Sequence, residues 1–226
     1  MNKKKLSERD ICSKYITPAV LSAGWDLHSQ IREEVSFTKG RIIVRGKLHT
    51  RGEQKRADYI LYYKSNIPLA VIEAKDNTYS VGSGMQQGLN YAETLGIPFV
   101  FSTNGDAFLM HDRTGLAAKT EEELTLGAFP SPAELWQRYC NWKGIETEQA
   151  RQTVEMPYYD DGTNRAPRYY QANAINNAVE AVAKGQQRVL LVTNLMMLYL
   201  LQKNHLRHLD RFGQQHPLYK IGRAHV

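Results

Sequence analysis

The chain has 226 residues, a net charge of +6 at pH 7 and a hydrophobic fraction of 42%. That is the length and composition of a soluble protein with one good-sized core, or one core and part of another. Two cysteines, Cys12 and Cys140, are too few for a disulfide framework and indicate a reduced, cytoplasmic compartment. No apolar run approaches the roughly 18 residues that span a bilayer, so we expect no membrane association.

Helical signals come first along the chain. Ser7 and Asp10 have the spacing of a helix start, and Gly24 is placed to end the segment. Pro18 inside this stretch predicts a kink or an early end. From Ile31 onward the pattern changes to strands, including residues 35–37 and 42–44.

Two further apolar runs carry the charged residues of interest. Asp58 lies in the first run and Glu73 in the second, with a Ser65-Asn66 turn between them. Because side chains alternate along a strand, Glu73 and Lys75 project from one face, and Asp58 approaches that face if the runs pair as a hairpin. Two carboxylates beside an ammonium favour Mg²⁺ binding and phosphodiester hydrolysis. The alternative is a structural Glu–Lys pair at a strand end.

Residues 85–95 predict a helix with Met85, Leu89 and Ala92 on its buried side, ending at Gly96. Gln87 and Tyr91, four residues apart, share the opposite face, where they form either a phosphate or water contact or an ordinary exposed surface.

Residues 99–101 and 107–110 predict a hairpin around Asn104-Gly105, and a helix follows at residues 134–142. These elements describe a compact α/β unit over residues 1–148. Residues 149–167, rich in charge, glycine and proline, are interpreted as a linker. A helix at residues 169–182 and a strand at 188–192 follow it.

Positive charge is concentrated just before Asp58. Seven Lys/Arg and a single acid, Glu53, lie between Lys39 and Arg56. Basic charge beside a metal site suits a polyanionic substrate, and the alternative is a solvated basic loop.

Three segments resemble a known family: Lys55 to Tyr59, Ile72 to Asn77 and Gly84 to Ala92. Over about residues 5–192 the chain is similar to the N-terminal nuclease domain of the restriction (R) subunit of type I restriction–modification enzymes. The resemblance implies a PD-(D/E)xK restriction-endonuclease-like core, in which a mixed central sheet is flanked by helices. It implies that Asp58 and Glu73 ligate the metal and that Lys75 is the catalytic lysine.

The same resemblance assigns Gln87 and Tyr91 to the family's Gln-x-x-x-Tyr element and makes Glu8 a weaker candidate for an additional acid. The family's idealised proline is Ala57 here. The resemblance also implies Mg²⁺ as cofactor, double-stranded DNA as substrate, and the methyltransferase (M) and specificity (S) subunits as partners. The predicted activity is that of a type I site-specific deoxyribonuclease, with sequence choice left to the S subunit.

Residues 168–192 resemble the beginning of the family's helicase-like motor domain, with Gln171 placed to recognise adenine. No Gly-x-x-x-x-Gly-Lys-Ser/Thr follows. Full-length members of the family use ATP as a cofactor, but we expect no ATP hydrolysis by this chain.

Residues 193–226 hold four of the seven histidines. A metal site is one interpretation of this tail. Loss of reading frame or a gene truncated at the start of the motor domain explains the abrupt change better, so we expect residues 193–226 to be an aberrant, non-native tail. Beside a nuclease, the sequence leaves open a non-catalytic docking or DNA-binding fragment, and an inert product whose apolar tail aggregates.

Overall fold

The computed structural model describes residues 3–38, 42–45, 48–51, 54–158, 167–186 and 188–189. A first compact unit spans Met1–Gly144 and a second begins at Ile145. The predicted strand at residues 188–192 lies mostly outside the described residues, and the tail at 193–226 lies wholly outside them. Among the helices described, none is long and apolar enough to cross a membrane.

A six-stranded mixed sheet forms the centre of the first unit, with strand order β1-β4-β5-β6-β7-β8. Its strands are β1 Ile31–Thr38, β4 Gln54–Tyr62, β5 Pro68–Ala74, β6 Phe99–Thr103, β7 Ala107–Asp112 and β8 Glu121–Thr125. β5 and β6 are parallel, because helix α3 (Met85–Leu95) connects them, and the other neighbours are antiparallel. Strands β2 (Ile42–Arg45) and β3 (Leu48–Arg51) form a separate hairpin between β1 and β4. The predicted α/β fold with a mixed, helix-flanked sheet is confirmed.

The N-terminal helical segment starts where the sequence predicts. Ser7 and Asp10 form a reciprocal capping box at α1 (Glu8–Ile11). A wider π-type turn at Cys12–Ile16 then leads into α2 (Thr17–Ser22), which has Pro18 in its first turn. The helical path therefore continues past Pro18, because a proline that cannot donate a hydrogen bond is tolerated in the first turn of a helix. The segment ends at Gly24, which has φ of 93°.

The central strands β4, β5 and β6 form the core. Leu69 to Ile72 and Phe99 to Phe101 are completely buried, as expected for strands covered on both faces. The Tyr59 hydroxyl lies 3.0 Å from the Thr17 hydroxyl on the face covered by α2. Helix α3 covers the opposite face, where Gly88 lies against Val100.

Two elements differ from the sequence prediction. The acidic stretch that follows Lys119 forms the edge strand β8, which pairs with β7 and is mostly solvent-exposed. Charged side chains are typical of a protected sheet edge, and they hide the apolar alternation that identifies a strand. A helix, α5 (Glu148–Glu155), also lies within the predicted linker, capped by Thr147.

The remaining helices are α4 (Pro132–Lys143) in the first unit and α6 (Tyr169–Ala183) in the second. α4 begins at the Ser131 cap and ends at Gly144, and the ring of Trp136 stacks on Tyr63 at 4.5 Å. In the second unit, α5 and α6 are neighbours.

Replacing Gly88 with alanine is expected to destabilise the fold by about 1–3 kcal/mol, because the new Cβ would lie 2.7 Å from Cγ1 of the buried Val100. The gain in helix propensity of up to about 1 kcal/mol offsets part of this cost. Urea denaturation measures the difference. Asn90→Ala, at an exposed position of the same helix, is the control and should be neutral or slightly stabilising. Equal stability of Gly88→Ala and Asn90→Ala would contradict the close packing of α3.

Candidate active site

Asp58 lies where β4 and β5 stop pairing. The last paired residues are Tyr59 and Ile72, so Asp58 and Glu73 occupy the next positions on their strands. The Ala74 backbone N–H donates to Oδ2 of Asp58 at 2.8 Å. A side-chain carboxylate thus takes the place of a strand carbonyl, and this holds Asp58 at the end of β5 beside Glu73.

Glu73 and Lys75 project from the same face of β5, as the alternation predicts. The Lys75 ammonium lies 3.2 Å from Oε1 of Glu73, and the Glu73 side chain is only 1% exposed. Oε2 of Glu73 is buried without a hydrogen-bond partner. An unpaired oxygen on a buried carboxylate is costly, and a bound cation would remove that cost.

Helix α3 packs closely against Glu73 through two glycines. A Cβ at Gly84 would lie 2.9 Å from Cγ of Glu73, and one at Gly88 would lie 3.7 Å from its Cβ. The Ser102 hydroxyl accepts the Gly84 N–H at 3.0 Å and donates to the Val81 carbonyl, which fixes the start of the helix. Ser102 was not among the predicted site residues, although a hydroxyl after an apolar run is a signal that the sequence contains.

Gln87 and Tyr91 form the hydrogen-bonded pair that their spacing allows, with the Gln87 amide donating to the Tyr91 hydroxyl at 2.9 Å. The expectation of an exposed face is wrong for Tyr91: its side chain is buried, at 7% exposure, as are Met85 and Ala92, whereas Leu89 is half-buried. The Phe37 ring packs edge-on against Tyr91 at 5.3 Å. The Lys55 ammonium lies 5.5 Å from the centre of the same ring.

The carboxyl groups share one electrostatic environment. Burial raises the pKa of Glu73 to about 8, the negative charge of Asp58 adds to the increase, and Lys75 opposes it. Burial also raises the pKa of Asp58, against the hydrogen bond from Ala74 and the charge of Lys75. The pKa of Glu8 on α1 is raised by partial burial and then by Asp58.

Lys75 responds to two opposing effects. Burial disfavours its charged form, but the charge and hydrogen bond of Glu73 outweigh burial and raise its pKa. If Glu73 is neutral near pH 7, its influence on Lys75 is weaker, because an uncharged carboxyl group no longer favours the charged ammonium. Because the burial of Glu73 is nearly complete, its pKa is raised and the pair retains an extra proton when no other cation is present.

The donor set fits a hard divalent cation with few protein ligands. Asp58 and Glu73 supply carboxylate oxygens, and Mg²⁺ commonly uses one or two carboxylates together with water and substrate phosphates. In the part of the chain that the structure describes, no group of three or more His, Cys, Asp or Glu side chains could hold a metal ion. A cation held by the two carboxylates would therefore take its remaining ligands from groups other than His, Cys, Asp or Glu side chains, such as water and phosphate.

Gln171 belongs to the second unit. Its side-chain oxygen accepts the Arg168 backbone N–H at 2.9 Å, so in this structure it caps α6. Its predicted role in adenine recognition stays a prediction.

Comparisons with known proteins agree on one family. Residues 27–125 match the family described as the type I restriction enzyme R protein N terminus (HSDR_N). The type I restriction enzyme EcoAI endonuclease subunit of Escherichia coli is 52% identical over 193 residues, which are 85% of this chain and 24% of that protein. The chain thus spans about a quarter of the length of this curated relative.

A solved structure has the same fold. It is the fragment of a protein assigned as the HsdR subunit of a type I restriction enzyme from Vibrio vulnificus YJ016. The match has a TM-score of 0.69 and 42% sequence identity, and it covers 83% of this chain and 34% of that one. This chain therefore belongs to the type I restriction enzyme R-subunit family, of which it carries the N-terminal region.

Proposed function

We propose that this chain carries the Mg²⁺-dependent DNA endonuclease site of a type I restriction R subunit, formed by Asp58, Glu73 and Lys75. One observation carries the proposal: a buried carboxylate with an unpaired oxygen lies beside a second carboxylate and within 3.2 Å of a lysine ammonium. A purely structural Glu–Lys pair would not leave Oε2 of Glu73 buried without a partner. Membership of the family supports the same chemistry.

The protein groups have distinct roles in this proposal. Asp58 and Glu73 would hold Mg²⁺, which when bound supplies stabilisation of negative charge on the scissile phosphate. Lys75 orients the attacking water, and its ammonium is itself oriented by Glu73. The Gln87 amide, held by the Tyr91 hydroxyl, is available to a phosphate or its water shell.

The substrate and partners follow from the family. Double-stranded DNA is the proposed substrate, and the M and S subunits are the proposed partners that supply sequence choice. These activities belong to proteins about four times as long as the matched region, so assembly with M and S is part of the proposal.

A second function is favoured by a specific observation. Lys75 forms an ion pair with Glu73, and the described residues contain no group of three His, Cys, Asp or Glu metal ligands, which is compatible with a non-catalytic fragment that docks on DNA or on the M subunit. Incubation of the purified chain with plasmid and Mg²⁺ or Mn²⁺, with and without the M and S subunits, discriminates the two. Metal-dependent nicking supports the nuclease, and binding without nicking under every condition supports the docking fragment.

Lys75→Ala is expected to reduce Mg²⁺-dependent plasmid nicking by at least about 100-fold while the fold is retained, because positioned proton-transfer or water-orienting groups contribute on this scale. Gel analysis of supercoiled plasmid measures the rate, and circular dichroism verifies the fold. Lys119→Ala, which removes an exposed lysine outside the site, is the control and should cleave normally. Unchanged nicking by Lys75→Ala would refute the assignment.

The pH dependence of stability provides an independent test. Because the pKa of Glu73 is raised from 4.5 to about 8 on folding, the folded state holds this proton more tightly than the unfolded state. The contribution is present at low pH and is lost as the pH rises through 4.5 towards 8, with each pKa unit corresponding to about 1.4 kcal/mol. In EDTA, we expect the wild type to lose more unfolding free energy than Glu73→Gln between pH 5 and 8.

Urea denaturation at several pH values measures this difference. Groups remote from Glu73 cancel in the comparison, so the difference reports Glu73 together with its coupling to Asp58 and Lys75. Parallel stability curves for the wild type and Glu73→Gln would show that Glu73 folds with an ordinary pKa.

A further inference from the structure

Strand β1 contains one strained residue. Glu34 has φ of 52°, and in the described part of the chain it is the one non-glycine residue with positive φ. This conformation costs a side-chain-bearing residue about 1–3 kcal/mol and persists where the surrounding structure enforces it. Such residues concentrate at functional sites, so the place of Glu34 in the sheet is informative.

Glu34 lies directly across from Asp58. β1 and β4 pair through Glu33 with Tyr59 on one side and Val35 with Ala57 on the other, and the ladder omits the pair between them. On the other edge of β4, pairing with β5 begins at Tyr59, so Asp58 lies just outside that ladder as well. Asp58 therefore lies where β4 is freed from regular pairing with both neighbours, and its carboxylate is able to accept the Ala74 N–H.

The outer part of the β1–β4 ribbon, beyond Glu34, reaches α3. Phe37 and Lys55 face each other in this part, and both contact the ring of Tyr91. Residues 55 and 58 are three apart, so on an unbroken strand their side chains would face opposite sides of the sheet. Here Lys55 contacts Tyr91 on α3, and Asp58 lies beside Glu73, against which α3 packs. A change of ribbon direction at Glu34 accounts for both contacts.

We propose that the left-handed backbone of Glu34 is a positioning device: it interrupts the β1–β4 ladder at Asp58 and turns the outer ribbon onto Tyr91. The inference rests on the proposed nuclease function, because it assigns Glu34 to the placement of Asp58 and Tyr91 in that site. The role belongs to the backbone rather than the carboxylate. The Glu34 side chain is 62% exposed, and its ion pair with the equally accessible Arg56 is long, at 3.6 Å. Exposed pairs of this kind contribute little.

The test uses substitutions that separate backbone from charge. Glu34→Gly keeps the left-handed conformation without strain, Glu34→Gln removes only the charge, and Glu34→Val opposes positive φ because valine is β-branched. Ser36→Val is the matched control, since it places valine at an exposed position with ordinary strand backbone in the same ribbon.

Two measurements are made on the full chain. Nuclear Overhauser contacts between the Phe37 and Tyr91 rings, recorded without metal or DNA, report the ribbon direction. Calorimetric titration with Mn²⁺ reports the arrangement of the carboxylates. We expect Glu34→Gly to keep the ring contact and the Mn²⁺ affinity, with a Tm at or above that of the wild type. Glu34→Gln should keep the ring contact and bind Mn²⁺ within about threefold of the wild-type affinity.

Glu34→Val should lose the ring contact and bind Mn²⁺ about tenfold more weakly or worse, on the scale of lost support around metal ligands. Ser36→Val should change neither. Retention of the contact and affinity by Glu34→Val, or equal losses in Glu34→Gln, would overturn the proposal. If Glu34→Val does not fold, Glu34→Gly decides: a lowered Tm with a lost ring contact overturns the inference, and a retained contact with a maintained Tm supports it.

Failure of the proposed function has a different signature. Lys75→Ala that nicks plasmid like the wild type, or a wild type that does not bind Mn²⁺, would count against the nuclease site. The ring contact would still decide the positioning role of Glu34, because it is measured without metal or substrate.

Discussion

The hydrogen bond from the Ala74 N–H to the Asp58 carboxylate is the constraint on which the site depends. A backbone N–H at the end of a buried strand must find a partner, and here a side chain supplies it where the β4–β5 ladder ends. Because the Ala74 N–H requires a hydrogen-bond acceptor, the fold itself fixes the position of Asp58. One consequence is that replacing Asp58 would disturb both the backbone and the site, so Lys75 is the cleaner probe of chemistry.

Burial of Glu73 is the second requirement, and the glycines of α3 explain how it is met. With side chains at Gly84 or Gly88 the helix could not approach β5 and β6 this closely, and water would reach the carboxylate. The result is a carboxyl group with a pKa near 8 and an oxygen without a partner. Lys75 balances this group only in part, which leaves the site with an affinity for an additional positive charge, either a proton or a metal ion.

The sequence was sufficient for much of this arrangement. Alternation along β5 placed Glu73 and Lys75 on one face, and glycine at position 96 marked the end of α3 at Leu95. The buried orientation of Tyr91 was missed because it depends on Phe37 and Lys55, which come from a ribbon more than thirty residues away in the chain. Long-range contacts of this kind leave no periodicity in a helix.

Other differences have local causes. Strand β8 was not predicted because its acidic residues are exposed at a sheet edge, so no apolar alternation marks it. Helix α5 has a visible start signal, since the Thr147 hydroxyl accepts the Ala150 N–H, but charge and its eight-residue length favoured a linker. The positive φ of Glu34 had no sequence signal at all, because glutamate is not a residue that favours this conformation.

Two costly features of this unit, the strained Glu34 and the unpaired oxygen of Glu73, lie on the two strands that flank β4, which carries Asp58. Local rules in natural proteins are broken mainly where function requires it, so their shared location indicates one common purpose. Both features belong to strands of a rigid sheet, which means that the carboxylates are arranged before any ligand arrives. The described residues offer no group of three His, Cys, Asp or Glu side chains, so in the proposed site water and phosphate would contribute much of the coordination of a metal ion. Metal and DNA would then each strengthen the binding of the other, because phosphate oxygens would ligate the metal ion and the metal ion would neutralise phosphate charge.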